Sequence, residues 1–114
     1  MFKIDFYLLF YAILIVEVMD MNELKANITV IMKGHDLDRT VYLSDYKKDS
    51  VFENMDFDFG FKIIEISENY AIIELNESDR FKLSENKINL KNIIKVEDLS
   101  DEPIDISIRL DSIE

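Results

Sequence analysis

The stretch Pro103-Ile104-Asp105-Ile106-Ser107-Ile108-Arg109-Leu110-Asp111 decides how the chain is read. Ile104, Ile106, Ile108 and Leu110 recur at every second residue, with Asp105, Ser107, Arg109 and Asp111 between them. Successive side chains of a strand point to opposite faces, so this alternation gives one dry face and one wet face. Pro103 opens the run, where a strand tolerates its missing N–H or where it marks an edge. Before it stands the acidic loop Glu97-Asp98-Leu99-Ser100-Asp101-Glu102.

The same period recurs further back in the chain. Ile28, Val30 and Met32 share one face of a strand that stops at Gly34-His35-Asp36, and residues 40–44 form a second, with Val41 and Leu43 on one side. Phe57, Phe59, Phe61 and Ile63 alternate with Asp56, Asp58, Gly60 and Lys62. Strand-like runs at 61–66, 70–75, 80–83 and 87–96 are separated by Ser67-Glu68-Asn69, Asn76-Glu77-Ser78-Asp79 and Ser84-Glu85-Asn86, which predicts a meander over about 60–96. With two glycines and one proline in the whole chain, turns must rely on Asn, Asp and Ser. Ser50-Val51-Phe52-Glu53 matches a capping box and predicts a helical turn or two. The expected fold is mainly β, a small antiparallel barrel or sandwich over residues 22–114, becoming α+β if the N-terminal segment is helical.

Residues 1–21 follow a different rule. Phe2, Ile4 and Phe6 alternate with Lys3 and Asp5, but Phe6 to Val16 is an unbroken apolar run. As a helix it would be apolar on every side, and fewer than a hundred remaining residues cannot surround it. It is therefore read as a core strand, as an interface helix presenting Phe6, Leu9, Phe10 and Ile13 to another copy, or as a membrane anchor. Eleven helical residues reach about 16 Å against a hydrocarbon core of about 30 Å, so an anchor must draw in residues 2–21, including Asp5 and Glu17. A start at Met19 or Met21 would remove the segment altogether. A cleaved signal peptide fits least, since Asp5 offsets Lys3 and no small-x-small site follows the run.

Composition bounds the function. The chain has 114 residues, 48% of them hydrophobic, enough for one core. There is no cysteine, which excludes a disulfide framework, an Fe–S cluster and a thiolate zinc site, and favours a cytoplasmic setting over a membrane-anchored one. Thirteen Lys and Arg against 24 Asp and Glu give a net charge of −11. Such a field repels nucleic acid and attracts a basic protein.

No catalytic, cofactor or metal residue is assigned. His35 is the only histidine, and Gly34-His35-Asp36-Leu37-Asp38 is read as a polar turn, because zinc needs three or four protein ligands. Asp56-Phe57-Asp58 is an Asp-x-Asp, read as the solvated face of a strand with its carboxylates about 7 Å apart. No Gly-rich phosphate loop and no Gly-x-Ser-x-Gly is present. The segment Glu97, Asp98, Asp101, Glu102 and Asp105, with no base between, is the candidate partner-binding edge. The functional expectation is a non-enzymatic acidic interaction module, in its sharpest form a small inhibitor or immunity-type protein. A membrane-tethered β-domain and a self-assembling, homo-oligomeric subunit are the alternatives.

Overall fold

The computed structural model describes residues 23–114. Within them the chain forms nine strands and no helix: β1 (Ala26–Gly34), β2 (Leu37–Tyr46), β3 (Val51–Asn54), β4 (Phe59–Ile66), β5 (Tyr70–Leu75), β6 (Phe81–Leu83), β7 (Lys87–Asn89), β8 (Ile93–Asp98) and β9 (Asp105–Ile113). They pair antiparallel in two sheets, β2-β1-β9-β8-β6 and β3-β4-β5-β7, packed as a sandwich. The readings of residues 1–21, including Phe6, Leu9, Phe10 and Ile13, lie outside the described residues.

The alternating stretch quoted first forms β9. It is central, laddered to β1 on one side and β8 on the other. Ile104, Ile106, Ile108 and Leu110 are buried, while Asp105 and Arg109 face water. Pro103 therefore opens a central strand, standing just before the ladder begins. Ile28, Val30 and Met32 of β1 pack beside this row, and Ile94 and Val96 of β8 complete the first sheet's inner face.

The second sheet contributes aromatic bulk. Phe59 lies 6.2 Å from both Phe52 and Phe61 between ring centroids, and 5.3 Å edge-on to Phe81, which belongs to the first sheet. Such tilted and edge-to-face pairs add about 0.5–1.5 kcal/mol each beyond their area burial. Phe59 thus joins the layers. Gly60 beside it is buried, and a side chain there would collide with the Phe52 carbonyl and the Asn76 amide. The alternating Phe series needs its glycine at that point.

The meander of the second sheet runs β3-β4-β5 and resumes at β7, with β6 leaving to pair with β8. The run 87–96 is accordingly two strands in different sheets. It turns at Leu90-Lys91-Asn92, where Lys91 adopts φ 66° and donates its N–H to the Leu110 carbonyl at 2.7 Å.

Two local expectations are corrected. Ser50 does not cap a helix: its hydroxyl accepts the Lys47 N–H at 3.0 Å, closing a turn, and Val51–Asn54 continue as a strand. A β-branched residue and a phenylalanine suit a strand, and Phe52 must reach the core beside Phe61. Asp56-Phe57-Asp58 is not a strand face but the β3–β4 turn. The Asn54 side chain accepts the N–H groups of Asp56 and Phe57, and Asp58 takes φ 54°. A side-chain-capped turn outcompetes continued pairing there.

Candidate functional site

Strand directions sort the loops into two ends. The β1–β2 turn (His35-Asp36), the β3–β4 turn (55–58), the β5–β6 loop (76–80) and the β8–β9 loop (99–104) meet at one end. Contacts among them and with the adjoining end of β2 support this: His35 Nε2 lies 2.9 Å from the Glu102 carbonyl, Arg39 of β2 pairs with Asp56 at 2.8 Å, and the Leu99 N–H donates to the Arg80 carbonyl at 2.7 Å. At the opposite end are the connections 47–50, 67–69 and 90–92. Lys25 and Glu114 also lie there, exchanging two backbone hydrogen bonds at 2.9 and 2.8 Å.

The two ends carry different charge. The first holds seven exposed carboxylates in its loops, Asp36, Asp56, Asp58, Glu77, Asp79, Asp101 and Glu102, against the single cation Arg80. The loops of the second hold Lys47, Lys48 and Lys91 against Asp49 and Glu68. Strand residues next to the acidic loops are more balanced, with Lys33, Arg39 and Lys82 among Asp38, Glu53, Glu97 and Asp105. The asymmetry therefore belongs to the loops.

Arg80, the one cation in the four acidic loops, is committed internally. Its Nε and Nη2 donate to the two oxygens of Asp98 at 3.1 and 3.0 Å, and the Asp98 side chain has 0% exposure. The same carboxylate accepts the N–H groups of Ser100 and Ile104 at 3.0 and 2.9 Å. Burial opposes the charge of Asp98, but Arg80 and these N–H donors outweigh it, and its pKa is held well below the usual carboxylate range. Asp98 is thus the clasp of the β8–β9 loop. Of the five acids singled out in the sequence, Glu97, Asp101, Glu102 and Asp105 are exposed and Asp98 is turned inward.

Two large apolar side chains stand among the acids. Met55, in the β3–β4 turn, is 87% exposed, and Leu99, next to the Asp98 clasp, is 55% exposed. The sequence reading did not single out these two, nor did it join Asp36, Asp56, Asp58, Glu77 and Asp79 to the 97–105 segment. The signal existed only in strand direction, because every loop in question follows an upward strand.

Other features carry less. His35 turns its ring to a loop carbonyl, and among the described residues no group of three or more His, Asp or Glu is placed to hold a metal ion. An open cleft of about 440 Å³ lies between β5 and β6, bordered by Ile64, Ile72, Leu75 and Leu83, with Glu74 and Lys82. No described helix is long and apolar enough to cross a membrane. Comparison of the chain with family models, curated proteins and solved structures gives no match.

Proposed function

We propose that this protein is a non-enzymatic acidic interaction module that binds a basic surface on another protein through its four-loop end. One observation carries the reading: seven exposed carboxylates, of which only Asp56 is ion-paired among the described residues, converge from four separate loops, while Arg80, the one cation in those four loops, is spent on the buried Asp98. A predominantly acidic set of loops attracts and orients an oppositely charged partner during encounter, and repels nucleic acid. Met55 and Leu99 supply the apolar contact that charge alone does not give. A small inhibitor or immunity-type protein, blocking a basic partner, is the sharpest form of this role, and the absence of cysteine suits a cytoplasmic setting.

The test separates placement of charge from its total. A labelled peptide alternating Lys and Leu is titrated by fluorescence anisotropy with the full chain, with Asp56→Lys/Glu77→Lys/Asp101→Lys, and with Asp49→Lys/Glu65→Lys/Glu68→Lys. Both variants change net charge equally. The first is expected to weaken binding at least about tenfold and the second far less; equal losses would sink the loop-end assignment.

A membrane-tethered form has one observation in its favour. The described chain enters at Glu23–Lys25, at the end away from the acidic loops, so a tether in residues 1–21 would leave those loops facing outward. Solubility of the full chain without detergent would end that alternative.

A further inference from the structure

The five-stranded sheet buries one face in the sandwich and turns the other outward, where no described element packs over it. On that outer face β2, β1, β9 and β8 keep a regular register through three rows. The middle row is Thr40, Ile31, Ser107 and Lys95. On the side toward Lys25 lie Tyr42, Thr29, Arg109 and Ile93, and toward the acidic loops Asp38, Lys33 and Asp105, with Glu97 two residues beyond Lys95. The register shifts beside Asn27 fall outside these rows.

Charge sets this face apart. Lys33 stands between Asp38 and Asp105, Lys82 stands opposite Glu97, and Arg109 holds Asp111 at 2.6 Å. With Lys95 the face carries four cations and four carboxylates, whereas the other described residues carry eight Lys and Arg against seventeen Asp and Glu. A second copy of so acidic a chain is repelled elsewhere, and least of all here. The centre is also composed like an interface. Tyr42 is 73% exposed and Ile93 49%, Ile31 is half-buried, and the Thr29 hydroxyl, donating to Asp111 at 2.5 Å, is fully covered. Asp111 thereby holds Arg109 in place before any contact is made. Nine-residue strands in a five-stranded sheet give a face about 30 Å by 19 Å, which approaches the roughly 800 Å² per partner of a standard interface once side-chain relief is counted.

We infer that this face packs against the same face of a second copy of the chain, about a twofold axis running across the strands through Ser107. Asp105 and Arg109 lie equally far from Ser107 on the central strand, so the half-turn sets each against the other's counterpart, twice. Tyr42 meets Asp38 of the second copy, a carboxylate that accepts its hydroxyl, and Ile31 meets Ile31. Lys95 meets its own counterpart, and its flexible stem carries the ammonium aside toward Glu97. An axis along β9 would instead lay Asp105 on Asp105 and Arg109 on Arg109, so charge complementarity selects the crosswise axis. The two acidic ends then point in opposite directions, and both stay free.

The chain has no cysteine, so a single introduced thiol reports proximity cleanly. The full chain carrying Ser107→Cys and, separately, Glu74→Cys on the outer face of the other sheet is treated at equal concentration with a short bis-maleimide, and the linked dimer is followed on denaturing gels. Packed sheet faces lie about 10 Å apart, within the reagent's reach. Ser107→Cys should therefore link on the order of tenfold faster, although Glu74 is the more exposed site. Adding Ile31→Glu, which sets carboxylate against carboxylate, should remove most of the excess. Asp105→Arg should do the same, and Asp105→Arg/Arg109→Asp should restore it. Equal rates at positions 107 and 74 would overturn the inference, as would an excess that survives both Ile31→Glu and Asp105→Arg.

Discussion

Arg80 holds Asp98 by two parallel hydrogen bonds, 3.1 and 3.0 Å long, across the paired ends of β6 and β8. The guanidinium side chain keeps 34% exposure and the carboxylate keeps none. One residue of this pair thus ties two strands and, through Ser100 and Ile104, shapes the loop that carries Asp101 and Glu102.

Asp98→Asn should therefore lower stability by about 2–4 kcal/mol, toward the lower part of the range for broken buried pairs because Arg80 remains partly hydrated. Urea unfolding of the two proteins measures it. A midpoint unchanged by the substitution would mean that the clasp is ornamental.

The same pair sets an acid dependence. The folded pKa of Asp98 is depressed, so its stabilisation is fully present above the unfolded value near 4. It is lost progressively as pH falls from about 5 toward the folded value, since the unfolded state then binds more protons than the folded one. The stability gap between wild type and Asp98→Asn should shrink steadily over this acid range. A gap that stays constant from pH 7 to pH 3 contradicts the assignment.

Gly60→Ala should be among the most harmful single-methyl additions. An ideal Cβ there would stand 2.5 Å from the Phe52 carbonyl oxygen and closer still to the Asn76 amide, and the β3–β4 ladder leaves the first no room to move. A loss of about 2–4 kcal/mol is expected from overpacking combined with displaced backbone, read as a drop in thermal midpoint.

Lys91→Gly should act in the other direction. Lys91 holds φ 66° at the crossing from β7 to β8, a conformation that costs a residue with a Cβ about 1 kcal/mol or more. Removing that strain, less the entropy glycine loses on folding, leaves a gain of a few tenths to about 1 kcal/mol. A destabilised variant would show that the lysine side chain contributes more there than its backbone costs.

Much of this architecture was legible in the residues. Period-two alternation found β1, β9 and most of β4 and β5, because one face of each carries the buried apolar row; the other face is only partly solvated in β1, where Thr29 is buried. It failed where one pattern covers two structures. The alternation through Asp56-Phe57-Asp58 continues that of β4 without a break, yet Asn54 diverts those residues into a turn. Residues 87–96 are continuous in composition, and only the backbone at Lys91 reveals the change of sheet. The acidic segment 97–105 was visible as a run, but its neighbours Asp36, Asp58 and Glu77 were not, since their convergence depends on strand direction. Asp98 shows the converse limit: its spacing among acids gave no sign that it is buried and paired with Arg80.

The proposed function places binding at the four-loop end. The most direct measurement follows backbone amide shifts of the isotope-labelled full chain as the Lys/Leu peptide is added at low and at high salt. Shifts confined to residues 34–37, 55–58, 76–80 and 99–104, and diminished by salt, are the predicted result. Shifts centred on 47–50, 67–69 and 90–92, or spread evenly over both ends, would contradict it.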